Sequence, residues 1–341
     1  MSIGALAQVR WPFLLGAFIV LVVFSAAGLH IVGGKAWRER MNKASAIAGA
    51  AVLIIAMAAI LFFVGGSAYQ TFTDYHVSLP AFFFGTTWNP DEKQVGALIM
   101  ILGSITATVL AIAVATPLSV ATAMYVTDIA PTWAKRLIQP ILELFAGIPS
   151  VVYGFLGIQL IVPLVRNTYN GIAGGFLYAG FGVIAAALVL TFMILPTVTT
   201  LSIDALNAVP NGLREASLAL GATRWQTLWR TLLPAGASGI FTGVILGMGR
   251  AIGETLAVAF VIGSNPNSFP IGFSSAYPYI VFRPTSTITV QLFQDFKEAP
   301  HGSLNYDAIW TLAFVLLLIT LGLVIASRWI SSRSAYRVAA E

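Results

Sequence analysis

The sequence predicts an all-α protein that crosses a membrane several times. Of its 341 residues, 58% are hydrophobic and 9% are charged, and the mean hydropathy is +0.87, whereas soluble domains carry about 25% charged residues. Several apolar runs reach roughly 20 residues, enough for a helix to cross a hydrocarbon core of about 30 Å. These runs do not alternate as barrel strands do, so helices are the structure that satisfies their backbone in lipid.

Seven apolar stretches predict spanning helices, with bounds good to ~2 to 4 residues. They are residues 11–33, 45–66, 96–126, 137–165, 180–203, 237–263 and 307–328. A basic cluster follows the first stretch instead of preceding it, so we interpret this stretch as a retained helix and not as a signal peptide.

Basic residues in the connecting segments predict the orientation. Twelve fall on one side, namely Lys35, Arg38, Arg40, Lys43, Lys135, Arg136, Arg214, Arg224, Arg230, Arg328, Arg333 and Arg337. Five fall on the other, namely Arg10, Lys93, Arg166, Arg283 and Lys297. The positive-inside rule then puts the N-terminus outside and the C-terminus in the cytoplasm. The net charge of +5 reflects this orientation and does not require a nucleic-acid partner.

Residue types that are missing exclude several functions. The sequence has no cysteine, and its three histidines, His30, His76 and His301, are scattered, which argues against a metal site, a disulfide or thiol catalysis. No G-x-x-x-x-G-K-[ST] loop is present, and Gly28 to Lys35 misses its spacing. We therefore expect no cofactor in this chain and no enzymatic activity of its own. A membrane-embedded enzyme is disfavoured because no nucleophile, base or metal cluster is visible.

The two long outer segments invite two interpretations. Residues 67–95 carry aromatic residues suited to a membrane interface. Residues 264–306 are rich in Pro, Ser and aromatics, and we expect a short helix within 285–298. A loop of this length is more often functional than idle, so it either contacts an external partner or caps the outer helix ends.

The segment 207–236 predicts two short helices joined at a glycine. Gly221 interrupts a helical pattern, and Thr223 with Gln226 has the form of a capping box that starts the second helix. We expect one apolar face there, formed by Trp225, Leu228, Trp229 and Leu232. Spacing alone leaves two alternatives, docking on a soluble partner or contact with lipid headgroups.

Arg250 and Glu254 place two opposite charges in the predicted span 237–263. Four residues apart on a helix, they would share a face. Each charge costs about 2.5 to 3.5 kcal/mol at mid-membrane, so both must face protein or water. We interpret them as part of a substrate pathway, the alternative being a self-neutralising pair that locks packing.

Pro149 predicts a break inside the span 137–165. A proline removes a helical hydrogen bond, and the half-helix after it begins with free N–H groups that favour anions. Ser150 and Tyr153 would then line the same pathway, although a simple packing kink is an equal alternative.

Residues 207–236, which we call the docking segment, resemble a segment found in a known protein family. Glu215-Ala216-Ser217, Gly221 and Leu233-Pro234 match the E-A-A, G and I-x-L-P spacing by which permease subunits of bacterial ABC importers dock on their ATPase subunits. Ser217 and Thr231 depart from the alanine and isoleucine of that pattern. The resemblance favours docking over lipid contact.

Three further stretches are similar to the C-type permease of the high-affinity phosphate importer. They are Thr87 to Asp91, Ala146 to Gly154 and Gly249 to Val258. The similarity covers about residues 45–333 and implies a six-helix permease core, with its cytoplasmic docking loop at about 204–236. Residues 1–44 would add an N-terminal transmembrane helix and a basic cytoplasmic loop, and 334–341 a cytoplasmic tail.

The resemblance also implies function and partners. This chain would carry phosphate inward through the cytoplasmic membrane, with Arg250, Glu254, Pro149, Ser150 and Tyr153 along the path. Its partners would be an A-type permease subunit, two ATPase subunits that bind ATP and Mg, an external phosphate-binding protein and membrane lipid. Three alternatives stay open: another oxyanion, the A-type role, or a proton-coupled secondary transporter with Glu254 as the carrier.

Overall fold

The computed structural model describes residues 35–172, 179–274 and 277–339. The described residues contain six helical stretches long and apolar enough to cross a membrane. They are Asn42–Thr73, Leu98–Ile129, Ser150–Gly171, Val183–Asn207, Arg224–Gly253 and Leu304–Ile325. The all-α polytopic fold predicted from composition is confirmed. The first predicted span, 11–33, lies outside the described residues.

Helix α1, Lys35–Thr73, is longer than expected. The sequence predicts a basic loop that ends at residue 44. This prediction is wrong from Lys35 onward, because the chain is already helical there. Ala, Arg, Glu, Lys and Met are strong helix formers and extend the apolar helix into its basic flank. Up to Phe63 the described chain is this helix alone, while the chain from Val64 onward forms a helical bundle.

The chain from α1 to the next span forms a small folded segment. It consists of α2, Leu79–Phe84, strand β1, Trp88–Asn89, a 3-10 turn, Pro90–Glu92, and strand β2, Gln94–Val95, which pairs antiparallel with β1. Phe82 and Val95 are buried in a cluster together with Leu312 of the last helix. Some of the aromatic residues of segment 67–95 therefore pack inside the protein.

The predicted span 137–165 is wrong in its position. Helix α3, Leu98–Met124, continues through a π-helical turn, Tyr125–Ile129, and is followed by α4, Thr132–Gly147. The spanning stretch begins only after the break at Pro149, with α5, Ser150–Leu156, a π-helical turn, Gly157–Ile161, and α6, Val162–Ile172. The apolar run before Pro149 belongs to a separate amphipathic helix, because proline ends the preceding hydrogen-bond ladder.

The predicted span 237–263 also differs from the structure. Helix α7, Val183–Asn207, leads to α8, Asn211–Ala219, and α9, Arg224–Thr227. A π-helical turn, Leu228–Leu232, joins α9 to α10, Leu233–Gly253, which stops ten residues early and is followed by the short α11, Leu256–Val261. The spanning helix is thus Arg224–Gly253, shifted toward the docking segment.

The outer loop contains the remaining short elements. Strands β3, Ile271–Ser274, and β4, Tyr277–Phe282, pair antiparallel, and helix α12 covers Ile288–Asp295 within the predicted range. Helix α13, Leu304–Ala339, follows.

Small residues let α10 approach α7 closely. Gly239, Gly243 and Gly247 recur every four residues, and a Cβ atom added to each would lie 2.5 to 2.9 Å from side-chain carbons of α7. Membrane helices associate through such small-residue faces because van der Waals packing replaces the hydrophobic effect in lipid. This contact positions the end of α10, and therefore Arg250, beside α7.

Candidate transport pathway and docking segment

Two helix breaks meet in the middle of the bundle. One lies between α4 and α5 at Pro149, and the other lies between α10 and α11 at Glu254. Residues flanking the breaks, Tyr153, Ala251 and Ala257, share one buried cluster. A Cβ atom at Gly154 would lie 3.0 Å from the Cα of Ala257, so the half-helices touch backbone to backbone. The structure therefore brings together the two segments that the sequence singled out.

Arg250 lies in the last turn of α10 and is half-buried. Its Nη1 donates a hydrogen bond to Thr197 Oγ1 of α7 at 3.2 Å. A cation in the last turn of a helix also interacts favourably with the helix dipole. Thr197 is neutral, so this contact holds the guanidinium without neutralising its charge.

Glu254 is not on the helical face of Arg250, contrary to the expectation from their spacing. The helix ends at Gly253, and Glu254 adopts an extended backbone with φ −72° and ψ 128°. Its Oε1 accepts the amide of Ala257 at 3.1 Å, and its carbonyl oxygen accepts Thr289 Oγ1 at 2.9 Å. The residue leaves α10 because its carboxylate satisfies an N-terminal amide of α11. Within the described residues, no ion pair joins it to Arg250.

The Pro149 break is closed by Tyr153. This side chain is 5% exposed, and its hydroxyl donates to the carbonyl oxygen of Phe145 at 2.7 Å, across the break. Its ring packs in the same buried cluster as Ala251, the residue after Arg250. Ser150 is half-buried as the first residue of α5, whereas Pro149 is exposed. Tyr153 is thus the residue of this motif that packs beside the end of α10, next to Arg250.

A cavity of about 500 Å³ opens beside the second break. Gly253 and Thr255, which flank Glu254, line it together with Thr289 and apolar residues of α12 and α13. At its wall the Lys297 ammonium lies 4.2 Å from the centre of the Phe293 ring.

The outer loop does more than cover helix ends. Residues 285–291 are almost fully buried, and the Ile288 amide donates to Ser104 Oγ of α3 at 3.0 Å. A Cβ at Gly103 would overlap the Ser286 carbonyl oxygen, so α3 and the loop are in backbone contact. The loop also holds the first outer segment, since Asp295 Oδ2 accepts the Trp88 indole at 2.8 Å. The loop therefore covers the outer end of α3, as the cap interpretation expects, and also holds the first outer segment, while contact with an external partner stays a prediction.

The docking segment has the predicted two-helix form. Thr223 Oγ1 accepts the Gln226 amide at 3.2 Å, while the Gln226 side chain accepts the Thr223 amide at 2.8 Å, which confirms the capping box. Gly221 has φ +83°, a left-handed conformation that an L residue adopts only with strain. Glu215 and Ala216 on α8 are exposed, whereas Ser217 is half-buried.

The predicted single apolar face is wrong. Trp225 and Trp229 stack on each other with ring centres 6.1 Å apart and are more than half exposed. Leu228 and Leu232 are 1% exposed and pack in a cluster with Leu206. The π-helical turn explains the division, because it inserts an extra residue into the turn and rotates the leucines into the bundle.

The same π-helical turn accommodates Pro234. The Leu233 amide donates to the carbonyl of Leu228, five residues earlier, and this wider turn avoids the clash of a proline ring with the carbonyl four residues before it. Leu233 is half-buried and Pro234 is exposed. Helix Arg224–Gly253 therefore joins the docking segment directly to Arg250.

Sequence reasoning missed the contacts that hold α8. The Arg214 guanidinium forms a two-point ion pair with Asp128, with N–O distances of 2.9 and 3.3 Å. Ser217 Oγ lies 3.0 Å from Thr227 Oγ1, and Thr231 Oγ1 donates to Ser217 Oγ at 3.4 Å. Ser217 and Thr231 depart from the permease pattern, and these departures were the sequence signal for the hydroxyl contacts. The pair of Arg214 with Asp128 could not be predicted, because its two residues are 86 apart in sequence.

The ion pair between Arg214 and Asp128 also shows which loops lie at the same end of the bundle. It places the end of α3, with the nearby Lys135 and Arg136, at the same end as α8, as the count of basic residues requires. The contact between Trp88 and Asp295 lies near the opposite end of α3. The grouping of these loops is therefore confirmed.

A bundle of lipid-length helices with a charged break inside and a two-helix segment at one end is typical of a polytopic membrane permease. Residues 129–336 match the family model described as the binding-protein-dependent transport system inner membrane component. The chain belongs to this family and is a multi-pass inner-membrane protein.

Relatives and solved structures agree with this membership. A probable ABC transporter permease protein, YqgH of Bacillus subtilis, is 38% identical over 286 residues, which are 83% of this chain and 88% of the relative. The phosphate transport system permease protein PstC of Haemophilus influenzae is 33% identical over 307 residues, 86% and 93% of the two chains. A chain of a bacterial ABC transporter for alginate import has TM-score 0.60 at 14% identity, over 88% of this chain and 99% of that chain. The last similarity concerns the fold alone.

Proposed function

We propose that this chain is the C-type permease subunit of an ATP-driven phosphate importer. Among the relatives that align with most of the chain, several carry the name of phosphate transport permease PstC, at 32 to 34% identity. The proposal rests on Arg250, a half-buried cation at a helix break that donates a hydrogen bond to the neutral hydroxyl of Thr197.

The chemistry of Arg250 suits an oxyanion. A guanidinium presents five donors in a planar fork that matches the oxygens of phosphate, and it stays charged at all physiological pH values. Only one of its donors is directed at Thr197. Hydrogenphosphate would occupy the remaining donors when the pathway opens, because charge-assisted bonds are about twice as strong as neutral ones.

The neighbouring residues take supporting roles. Tyr153 would offer its hydroxyl after exchanging the Phe145 carbonyl for the anion, and Ser150 would add a second hydroxyl at the α5 start. Pro149 creates the helix break beside which both hydroxyls lie. Glu254 would repel the anion and so drive it away from the second break. In the resting state it would not form the ion pair with Arg250 that the sequence suggested.

In this proposal, partner subunits supply the energy for transport. Two ATPase subunits, which bind ATP and Mg, would dock on the exposed residues Glu215 and Ala216 of α8, with Ser217, Gly221, Leu233 and Pro234 shaping the segment. This chain itself would hydrolyse no ATP and bind no cofactor. An A-type permease would complete the pathway, and an external binding protein would deliver phosphate to the end of the bundle that carries Trp88 and Asp295.

The orientation follows from the basic residues. The end with Arg214, Arg224 and Arg230 would face the cytoplasm, which places the C-terminus inside and the N-terminus outside. Closure of the ATPase pair would then push on α8 and move α10, so that the breaks at Pro149 and Glu254 face one side of the membrane and then the other.

Reconstitution tests the proposal. The chain, an A-type permease, the ATPase subunits and phosphate-binding protein are assembled in liposomes, and ATP hydrolysis is measured with loaded and empty binding protein. We expect hydrolysis and uptake to depend on loaded phosphate-binding protein. Uptake driven by a proton gradient without ATPase subunits would instead support a secondary transporter, and stimulation by another loaded oxyanion-binding protein would replace phosphate as the substrate.

A further inference from the structure

Three hydroxyl side chains meet between α8 and the spanning helix. Ser217 lies on α8, Thr227 ends α9 and Thr231 lies in the π-helical turn. Ser217 Oγ is 3.0 Å from Thr227 Oγ1 and accepts from Thr231 Oγ1 at 3.4 Å. We call these three residues the hydroxyl cluster.

Burial makes the cluster energetically significant. Thr227 is 2% exposed, and Ser217 and Thr231 are half-buried. A buried hydroxyl that loses its partner costs its full desolvation, whereas replacing both partners by apolar groups is close to neutral. The three hydroxyls therefore depend on one another, and each fixes the position of the others.

The cluster contains both departures from the permease docking pattern noted in the sequence. Ser217 stands where that pattern has alanine, and Thr231 where it has isoleucine. The structure places the two in direct contact, so the two polar substitutions satisfy each other. Two unrelated polar replacements would not be expected to lie in contact with each other across two helices.

The position of the cluster gives it a mechanical consequence. Nothing lies within 4 Å of a Cβ built at Gly221, and the connection from α8 to α9 is held by backbone hydrogen bonds, from the Gly221 amide to the Leu218 carbonyl at 3.0 Å and from the Ala222 amide to the Ser217 carbonyl at 3.2 Å. The angle between α8 and the helix Arg224–Gly253 is therefore set by these backbone bonds and by side-chain contacts away from Gly221, which include the ion pair of Arg214 with Asp128. The hydroxyl cluster is such a contact, and the helix that it touches carries Arg250 about 39 Å from its first residue, Arg224.

We propose that the hydroxyl cluster fixes the angle between α8 and the spanning helix, which makes Ser217, Thr227 and Thr231 positioning residues for the coupling of ATP hydrolysis to transport. The inference rests on the proposed docking of ATPase subunits on α8. Without the cluster, a push on α8 bends the glycine connection before it moves Arg250.

The first test measures the angle directly and does not depend on transport. The chain has no cysteine, so spin labels can be placed at Leu220→Cys and Leu246→Cys, both exposed positions. Electron–electron double resonance gives the distribution of distances between the labels in the assembled complex. We expect Ser217→Ala and Thr227→Val to broaden it, and the control Thr242→Val, whose hydroxyl bonds the Ser238 carbonyl of its own helix, to leave it unchanged.

The second test measures coupling. In proteoliposomes, each single variant is expected to raise the ATP hydrolysed per phosphate imported roughly fivefold, the factor that corresponds to one hydrogen bond. The double variant Ser217→Ala with Thr227→Val should be no worse than the worse single variant, because it leaves Thr231 alone without its partner in the cluster, whereas Ser217→Ala leaves both Thr227 and Thr231 without theirs. Unchanged distances in the single variants, or a double variant whose effect is the product of the two, would overturn the inference. Failure of the wild-type complex to import phosphate would instead refute the proposed function, and the label distances would still decide the role of the cluster.

Discussion

Replacement of Asp128 by asparagine should weaken the attachment of α8 to the end of α3. The carboxylate receives both terminal nitrogens of Arg214, with distances of 2.9 and 3.3 Å. Asn keeps the size and one acceptor oxygen but removes the charge. Asp91→Asn is the matched control, because Asp91 is exposed at the other end of the bundle and loses the same charge.

The size of the effect follows from distance and burial. Two unit charges about 4 Å apart attract by about 4 kcal/mol at the effective dielectric of a protein surface. The Arg214 side chain is 31% exposed and that of Asp128 12%. Exposed pairs contribute about 0 to 1 kcal/mol, and removing one partner of a buried pair costs about 3 to 5 kcal/mol. We therefore expect a loss of about 2 kcal/mol in the free energy that holds α8 against α3.

Thermal unfolding of the purified chain in detergent, followed by tryptophan fluorescence, measures this loss. Asp128→Asn should lower the unfolding midpoint, and the exchange Asp128→Arg with Arg214→Asp should restore part of it. In 1 M salt, where the screening length is about 3 Å, the difference from wild type should shrink. A midpoint equal to that of Asp91→Asn at low salt would refute the assignment.

Three other substitutions test the geometry of the breaks and the packing. Gly221→Ala should destabilise the docking segment by about 1 to 2 kcal/mol, because φ is +83° there; faster proteolysis of residues 208–232 is the measurement. Gly243→Val should cost about 1 to 3 kcal/mol, since a Cβ would lie 2.9 Å from Leu201 Cβ, and a lower thermal midpoint checks it. Tyr153→Phe should cost about 1 kcal/mol through the lost bond to the Phe145 carbonyl; an unchanged midpoint would contradict it.

Local signals predicted local structure well. The capping box of Thr223 and Gln226 and the turn at Gly221 depend on a few neighbouring residues, and both appear as predicted. The six lipid-length helices follow from composition. The helix of the outer loop, Ile288–Asp295, also fell in its expected range.

Tertiary contacts decided what the sequence could not predict. The apolar pattern continues past Gly253, yet the helix stops there because Glu254 caps α11 and its carbonyl accepts Thr289 from a loop 35 residues away. The leucines and tryptophans of the docking segment separate because of a π-helical turn, which has no clear sequence signature. The pathway residues Tyr153 and Arg250 were chosen from separate motifs, and only the fold shows that Tyr153 packs in one buried cluster with Ala251, the residue after Arg250.

Phosphate uptake by the variant Arg250→Gln tests whether Arg250 binds the transported anion. Arg166→Gln is the control, because Arg166 is exposed and loses the same charge. In proteoliposomes with all partners, we expect the Arg250→Gln complex to retain its ATPase subunits and to lose at least roughly tenfold in ATP-driven phosphate uptake, the factor for one charge-assisted bond. Arg250→Lys should fall between, since lysine keeps the charge without the fork. Uptake by Arg250→Gln equal to that of Arg166→Gln, in a fully assembled complex, would contradict the account.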